Sequence, residues 1–600
     1  MVSLPACHSG KVLVFPLEGS HWLHMDILIK ALHAQGHSVT VVRTNKSWYI
    51  KEESSYYSSI TVHVTDGVDE GFVKPILNKV LDIERGKSSV LNFFSLQVEA
   101  LSFMSKVPKM MAEMVTNMIE DKDLMKNLKE TQYDLVLTDP AWGAGVLMAH
   151  YLQLPLVYNV RWVTFGEGHQ VIAPSPMSYV PMTGSGLTDK MTFTERVKNM
   201  LIKLLGQVQD RFLVRPYYQA VCDEYFQPGV DFNELMQGAD LWLMRVDFVF
   251  EFPRPTMPNV IYMGGFQCKP AKPLPQDLED FIQSSGEHGA IIMSLGTFVK
   301  ELPSDITDEI ASAFAQLPQK IIWRHIGDRP ATLGNNTLLV DWMPQNDLLG
   351  HPKMRLFVAH GGTNGVQEAI YHGVPVVGLP LFFDQYDNLL RLQTRGGAKI
   401  VTIATVDNDF LKALQEVLQE PSYRENMQRL SNLHRDQPMN PLDLAMFWIE
   451  YVMRHKASSS CNSVHKDYIQ WEHQDTGLVH MQNFTYDESK QALVVPQGGR
   501  YFVYVGVNFR MPDKDKVSGE VHFLSLKVLK YSISYEKNWP IMEVKDSIPD
   551  DRRGERRTMY TGQVVTLEEG DLLMVSIDED NYELIDCSAE TTMYIGAFLL

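Results

Sequence analysis

Between Asp341 and Asn388 the chain reads DWMPQNDLLGHPKMRLFVAHGGTNGVQEAIYHGVPVVGLPLFFDQYDN. An apolar strand, Leu356 to Ala359, runs into His360-Gly361-Gly362-Thr363. An amphipathic helix follows over Asn364 to Tyr371, then a second apolar strand, PVVGLP, and the pair Asp384-Gln385. Strand, glycine-rich turn, helix and strand make the βαβ unit of a parallel sheet. The glycines admit a ligand close to the backbone. The helix N-terminus offers free N–H groups and a positive dipole end, so the turn suits an anion. Glu368 lies one turn into the helix on the face of Asn364, where a carboxylate suits a neutral diol such as a ribose. Trp342 presents a flat face for a base, and Asp384 and Gln385 remain for hydroxyls beyond the anion. Together these groups describe a nucleotide-diphosphate site.

The chain's 600 residues imply several domains, since single cores stop growing near about 250–300 residues. With 45% hydrophobic and 21% charged residues it reads as an ordinary soluble globular chain, and a net charge of −19 argues against a nucleic-acid partner. Five cysteines (Cys7, Cys222, Cys268, Cys461, Cys587) show neither metal-ligand spacing nor a disulfide framework. MVSLPACHSG passes directly into the strand KVLVF, and no run of about 18 apolar residues occurs, so neither a signal peptide nor a membrane-spanning helix is predicted. Sequons at Asn45, Asn335 and Asn483 matter only in the secretory pathway.

Lys11 to Phe15 reads as a buried strand, followed by PLEGS, His21, and a helix with Leu23, Ile27, Leu28 and Leu32 on one face. SVTVV and ITVHV are the next parallel strands. A long Met-rich helical stretch over about residues 68–129 precedes YDLVLTDP, whose strand exits at Asp139-Pro140. In a doubly wound sheet of order 3-2-1-4-5, strands one and four flank the topological switch. His21 and Asp139 then meet in one crevice. A histidine there can take a proton from a hydroxyl, and a carboxylate behind it fixes the tautomer and steadies the imidazolium. The competing readings are a helix-start role for His21 and an N-cap role for Asp139, with Pro140 at the first helical position. His24 reads as a helix-face residue.

Residues from about 152 to 250 are helix-rich, with Trp162, Phe165 and Tyr179 as candidate pocket walls or plain core. FEFPRPTMP and KPAKPLPQ mark a boundary near Phe252 to Gln276. A second α/β domain starts at AIIMSLGT, where Ser294, Gly296 and Thr297 end a strand in a turn facing the diphosphate. KIIWRH follows as its second strand; Arg324 at its end meets a sugar carboxylate or is a surface arginine.

The Asp341–Asn388 stretch resembles the signature of the UDP-glycosyltransferases, most closely the animal UDP-glucuronosyltransferases, with Tyr386 where many members carry proline. The resemblance implies that Trp342 stacks on uracil and that Gln345 and Glu368 hold the ribose. It assigns the diphosphate to His360, Gly362, Thr363 and Asn364, and the sugar to Asp384 and Gln385. GSHW and LTDP resemble the family segments that bear the catalytic base and its aspartate, here His21 and Asp139. The implied fold is GT-B, two Rossmann-like domains facing a cleft. The first spans residues 1–255 and binds the acceptor; the second spans 256–456 and binds the UDP-sugar, with Met439–His455 packing back on the first. The implied reaction is inverting, metal-free and without a further cofactor. A sugar, glucuronic acid, passes from its UDP derivative to a hydroxyl of a small lipophilic acceptor. The family location is the endoplasmic reticulum membrane and lumen, reached with a signal and an anchor that are not readable here.

After a Ser-rich linker at residues 457–467 the pattern changes to short alternating strands: QALVVP, RYFVYVGVNF, HFLSLKVLKYSI, GQVVTL, DLLMVSID and TMYIGAFLL. They predict an antiparallel sandwich over 468–600. Its order, with WEHQDTGLV before it and GAFLL at the end, resembles the tumour necrosis factor ligands, trimeric jelly-roll cytokines, nearest the TL1A-like members. A homotrimer, a receptor of the matching family and a membrane or extracellular site are implied. The family's first strand is missing and only Cys587 stands where many members pair loop cysteines. Tyr501 and Phe509 are candidates for trimer packing or for core. The missing anchor of one family and the missing start of the other coincide near residue 460. A read-through or mis-joined gene therefore accounts for the chain at least as well as an evolved two-function protein. The alternative function is a receptor ligand in which the transferase part is a passenger.

Overall fold

The computed structural model describes residues 9–65, 67, 73–86, 90–163, 166–296, 299, 302–455, 463–464, 469–470, 485–487, 490, 492–510, 521–532, 537–549, 556–577 and 594–599. Among these the chain divides into one compact unit over Met1–Glu450 and another over Tyr451–Leu600.

The first unit holds two parallel sheets. In the first, β1 (Lys11–Phe15), β2 (Ser38–Thr44), β3 (Ser58–Val62), β4 (Leu135–Thr138), β5 (Leu156–Val160), β6 (Leu241–Met244) and β7 (Val260–Tyr262) run in the order β3-β2-β1-β4-β5-β6-β7. The order of the first five is the expected one. Val12 faces Leu135 and Phe15 faces Thr138 across the β1–β4 pair. These strands read as unbroken apolar runs because helices cover both sheet faces; Val12, Leu13 and Val14 are fully buried. β7 belongs to this sheet although it follows residue 255, where the sequence reading ended the domain. The Met-rich stretch resolves into separate helices, the longest α2 (Val90–Glu120), whose Val115 and Met118 are buried in the core.

The second sheet repeats the plan with β8 (Ala290–Ser294), β9 (Lys320–Arg324), β10 (Thr337–Val340), β11 (Met354–Ala359), β12 (Val376–Gly378) and β13 (Ala398–Ile400) in the order β10-β9-β8-β11-β12-β13. The helices that carry or frame the site are α1 (Ser20–Ala34), α3 (Phe193–Gln209), α4 (Thr363–His372) and α5 (Gln385–Thr394). A last helix, α6 (Pro441–His455), returns to the first domain, where Glu450 Oε1 lies 3.2 Å from His37 Nε2. Among the described residues no helix is long and apolar enough to cross a membrane.

The second unit is an antiparallel sandwich. β14 (Thr485–Asp487), β15 (Ala492–Val494), β16 (Gly499–Arg510), β17 (Val521–Ser532), β18 (Lys537–Pro549), β19 (Arg556–Leu567), β20 (Leu572–Ile577) and β21 (Tyr594–Leu599) form sheets of order β14-β15-β20-β17-β18 and β19-β16-β21. β18 escaped the sequence reading because KNWPIMEVKDSIP mixes proline and charge with its apolar positions. Alternation along β16 buries Tyr501, Val503, Val505, Val507 and Phe509 between the sheets. Tyr501 and Phe509 are therefore core, and the trimer-packing reading fails for them. Phe502 and Tyr504, which alternate with them, stack on the other face with ring centroids 6.2 Å apart. Cys587 and the WEHQDTGLV segment lie outside the described residues.

Candidate active site

Both doubly wound sheets reverse strand order at one point, between β1 and β4 and between β8 and β11; His21 and Asp139 meet at the first, and Ser294 and His360 border the second. In the first, α1 starts after Gly19, whose φ of 68° belongs to the left-handed region that glycine enters freely. This turn sets His21 in the first helical turn beside the exit of β4. His21 Nδ1 lies 2.6 Å from Asp139 Oδ2, with the histidine side chain 21% exposed and the aspartate 1%. Asp139 Oδ1 accepts from Ala141 N–H at 3.1 Å, so one residue both closes its turn and pairs with the histidine. Burial pushes the Asp139 carboxyl up, but His21 and Arg245 outweigh it and hold it below the usual carboxylate range.

Arg245 is the residue that sequence reasoning missed. It directly follows β6, is 3% exposed, and places Nη2 3.0 Å from His21 Nδ1 and 3.3 Å from Asp139 Oδ2. One ring nitrogen cannot donate to Asp139 and accept from Arg245 at once. In the tautomer with Nδ1–H toward Asp139, Arg245 donates to the carboxylate and His21 Nε2 is the free base. The signal was available in LWLMRVDF: an arginine at the end of a buried apolar strand needs a partner. His24 is a buried helix residue beside Phe266; burial, with the charges of Arg245 and His21, pushes its imidazole well below its usual range.

At the second switch point, β8 ends at Ser294 and β11 at Ala359, paired in register. Gly296 has φ 78° and Gly361 φ 93°, and a Cβ at Gly362 would stand 2.5 Å from His360 Nε2. The glycines thus let two loops close around the His360 ring. Burial pulls His360 down to about 4, so it is neutral at physiological pH. Thr363 and Asn364 open α4, both partly exposed at its N-terminus. On the same helix Glu368 Oε2 accepts from Gln345 Nε2 at 2.6 Å, and burial pushes Glu368 up to about 7. Trp342 is 72% exposed, an open indole face beside this pair in sequence. Arg324 donates through Nε to Asp341 O at 3.2 Å and through Nη1 to Gly296 O, joining the loops on either side of the cradle. Thr297 and Phe165 lie outside the described residues, as does the Trp162 side chain; Tyr179 is exposed.

Asp384 precedes α5, and its Oδ2 accepts from Asn388 Nδ2 at 2.7 Å and from Thr363 Oγ1 at 3.4 Å. Gln385 turns inward: its Oε1 accepts from Leu381 N–H at 2.8 Å and Phe382 N–H at 3.2 Å, leaving the amide Nε2 for a ligand. That tight loop holds Phe383 at φ 56°, strained for a residue with a side chain.

α5 is bolted to the first domain along its length. Asn388 Oδ1 accepts from Arg161 Nη2 at 2.9 Å while its Nδ2 also donates to Gly361 O at 3.0 Å. Asp387 accepts from Gly184 N–H at 2.5 Å and Gly186 N–H at 3.0 Å. Arg391 donates to Glu167 at 2.6 Å and Arg161 to Glu251 at 2.8 Å, with Arg254 closing the cluster on Glu167. All five charged side chains of this cluster are nearly or wholly out of water.

The UDP-glucoronosyl and UDP-glucosyl transferase family matches residues 10–476, and the TNF (tumour necrosis factor) family matches residues 469–600. Over 478 residues the chain is 42% identical to UDP-glucuronosyltransferase 2A3 of Mus musculus, covering 76% of this chain and 86% of that one. It is 44% identical over 475 residues to UDP-glucuronosyltransferase 2B13 of Oryctolagus cuniculus, covering 76% and 87%. Among solved structures, a UDP-glucosyltransferase from Polygonum tinctorium, described as capable of glucosylating indoxyl, superposes with a TM-score of 0.51 at 14% identity over 75% of this chain and 99% of its own. At that identity the likeness speaks to the fold, which is GT-B. The chain belongs to the UDP-glycosyltransferase family, joined in residues 469–600 to a tumour necrosis factor-type domain.

Proposed function

We propose that the protein transfers glucuronic acid from UDP-glucuronate to a hydroxyl group of a small lipophilic acceptor with inversion at the anomeric carbon. The observation that carries this reading is the 2.6 Å contact between His21 and Asp139, at the switch point of the first domain with the histidine open to solvent. His21 Nε2 takes the hydroxyl proton while the acceptor oxygen forms its bond to the anomeric carbon and the bond to the UDP oxygen breaks. Asp139 fixes the tautomer and steadies the imidazolium, and Arg245 keeps that carboxylate charged. Trp342 takes the uracil face, Gln345 and Glu368 the ribose, and Asp384 with the Gln385 amide the sugar. Neutral His360, Ser294, Thr297, Thr363, Asn364 and the N-terminus of α4 meet the diphosphate as charge builds on it. Arg324 serves by holding the two loops that frame the diphosphate, since its described bonds go to their carbonyls. The endoplasmic reticulum is the location that fits this chemistry and family.

The test is His21→Ala. Turnover should fall by roughly 10²–10⁴-fold, the range for loss of a general base, while UDP affinity stays near that of the unchanged protein. Near-normal turnover in a folded variant would remove His21 from the mechanism.

A second reading concerns residues 468–600. The half-buried pair Phe502 and Tyr504 on the outer face of β19-β16-β21, with exposed Tyr560 and Val564 on β19, supports a homotrimer that binds a receptor of the tumour necrosis factor receptor type. Sedimentation of residues 461–600 at graded concentration tests it: a trimer lost on Tyr504→Asp supports the reading, and a monomer at all concentrations removes it.

A further inference from the structure

Gln367 stands beside Glu368 on α4 and is 1% exposed. A buried side-chain amide needs partners for both its donor and its acceptor end, and those of Gln367 lie on the segments that leave the first sheet. Its Nε2 donates to the carbonyl oxygen of Arg245 at 2.9 Å. Its Oε1 accepts from Gly265 N–H at 3.1 Å and from Gln267 Nε2 at 2.9 Å. These partners fix which way the amide points, because a backbone carbonyl only accepts and a backbone N–H only donates. Arg245 follows β6 and Gly265 follows β7, and the two strands are neighbours in the first sheet. One side chain thus ties two strand exits of the first domain to the helix that begins at Thr363.

Arg245 gives this tie its consequence. Its N–H donates to Val160 O at 2.9 Å across the sheet, and its carbonyl oxygen takes the Gln367 bond, so its main chain is held from both sides. From that root the guanidinium reaches Asp139 Oδ2 at 3.3 Å and stands 3.0 Å from His21 Nδ1. A small rotation of the main chain at the root is amplified along the long side chain, and hydrogen bonds weaken steeply with such displacement. Gln367 therefore governs where Nη2 stands relative to the His21–Asp139 pair. Gln267 offers the contrast. It shares the packing of the amide through its Nε2, while its own Oε1 is buried without a hydrogen-bond partner, and it takes no part in the bond to Arg245. The path from one half of the site to the other is short. Glu368, the next residue of α4, is the group proposed for the ribose, and Arg245 bonds the carboxylate proposed to support the base.

We propose that Gln367 is a positioning residue for the transfer step, setting the Arg245 guanidinium against the His21–Asp139 pair from the helix that carries Glu368. The inference rests on His21 acting as the base. It is tested on the full chain by steady-state turnover, with calorimetric binding of UDP as the check that each variant has folded. Gln367→Glu keeps an acceptor for Gly265 and Gln267 and loses only the donor to Arg245 O. Its kcat should fall roughly 5–100-fold, while KM for the UDP-sugar and affinity for UDP stay unchanged, the split of an interaction that counts in the transition state. Gln367→Met, uncharged and of similar length, should give the same fall, which separates the lost donor from the new carboxylate. Gln267→Met removes a different bond of the same amide and should leave kcat unchanged. Arg245→Gln should lower kcat by itself, and adding Gln367→Glu to it should cost little more, because the amide acts through that arginine. Normal kcat in both Gln367 variants, an equal loss in Gln267→Met, or full additivity with Arg245→Gln would overturn the proposal. Any of these with His21→Ala inactive counts against Gln367 alone, whereas turnover retained in His21→Ala removes the base on which the inference rests.

Discussion

Glu368 offers the sharpest test of the donor site, because burial holds its carboxyl at about 7 in a chain without ligand. A ribose diol donates to a carboxylate better than to a carboxylic acid, so the ionised form is the binding form. For a folded acid at about 7, roughly nine-tenths is ionised at pH 8 and one-tenth at pH 6, so affinity for a UDP-sugar should fall about tenfold between those values. The sign is the reverse for stability. A carboxyl whose folded value lies above its unfolded one favours the folded state at low pH, and that advantage is lost between about 4.5 and 7 as the buried group ionises. Glu368→Gln keeps an oxygen for Gln345 and removes the proton. Its affinity at pH 8 should be lower by roughly 10–100-fold and flat from pH 6 to 8. The assay is calorimetric titration with UDP-glucuronate rather than UDP, whose terminal phosphate itself titrates in this range. His360, at about 4, stays neutral throughout. A constant ratio of the two dissociation constants across pH 6–8 refutes both the raised carboxyl and the ribose contact.

Trp342→Ala should weaken UDP by roughly 5–100-fold, the range for loss of one base–aromatic stack, whereas Asp384→Asn should spare UDP and raise KM for the UDP-sugar; calorimetry and steady-state kinetics separate the two. Asn388→Ala removes the acceptor for Arg161 and the donor to Gly361 O and Asp384 at once. It should raise donor KM at least roughly tenfold and lower the melting temperature, each uncapped buried group costing about 1–3 kcal/mol. Residues 1–456 made alone should melt as the corresponding part of the full chain does, because both parallel sheets and Glu450 on α6 lie within them; a lower melting point by calorimetry would contradict this.

The strands were legible wherever burial on both faces made them continuous apolar runs, as at KVLVF and AIIMS, and the glycines of His360-Gly361-Gly362 marked the turn that closes around the His360 ring. His21 and Asp139 were legible because sheet order alone brings β1 and β4 together. Arg245 was not, since its meaning depends on β6 joining the far side of β5, after a helical stretch whose pattern says nothing of strand order. Gln385 was half legible: its place after the second apolar strand follows from the motif, but the turn of its carbonyl oxygen into Leu381 and Phe382 depends on the left-handed Phe383, which no side-chain pattern encodes. The aromatic pair Tyr501 and Phe509 shows the reverse case. Period-two alternation placed them on one face of β16, yet which face turned inward needed the opposing sheet.

If Asp384 and Gln385 meet the donor sugar as proposed, the clamp on α5 makes the donor site a property of both domains. Asp384 and Gln385 stand at the head of this helix, and one buried side, with Asp387, Asn388 and Arg391, meets the first domain at each turn. A hydrogen bond runs from Arg161 to Asn388, and Asn388 bonds both Gly361 O, in the turn proposed to meet the diphosphate, and Asp384, proposed to meet the sugar. The segment that carries Arg161 continues β5, the strand beside β4, whose exit bears Asp139. Any shift of the first domain that moves the His21–Asp139 pair therefore also moves the group that orients Asp384. Buried ion pairs of this kind add little net stability, because desolvation offsets their attraction, but breaking one member is costly. Such a cluster resists partial opening between the domains, and under the proposed reaction it holds His21 and Asp384 in one frame, as an in-line displacement at the anomeric carbon would require.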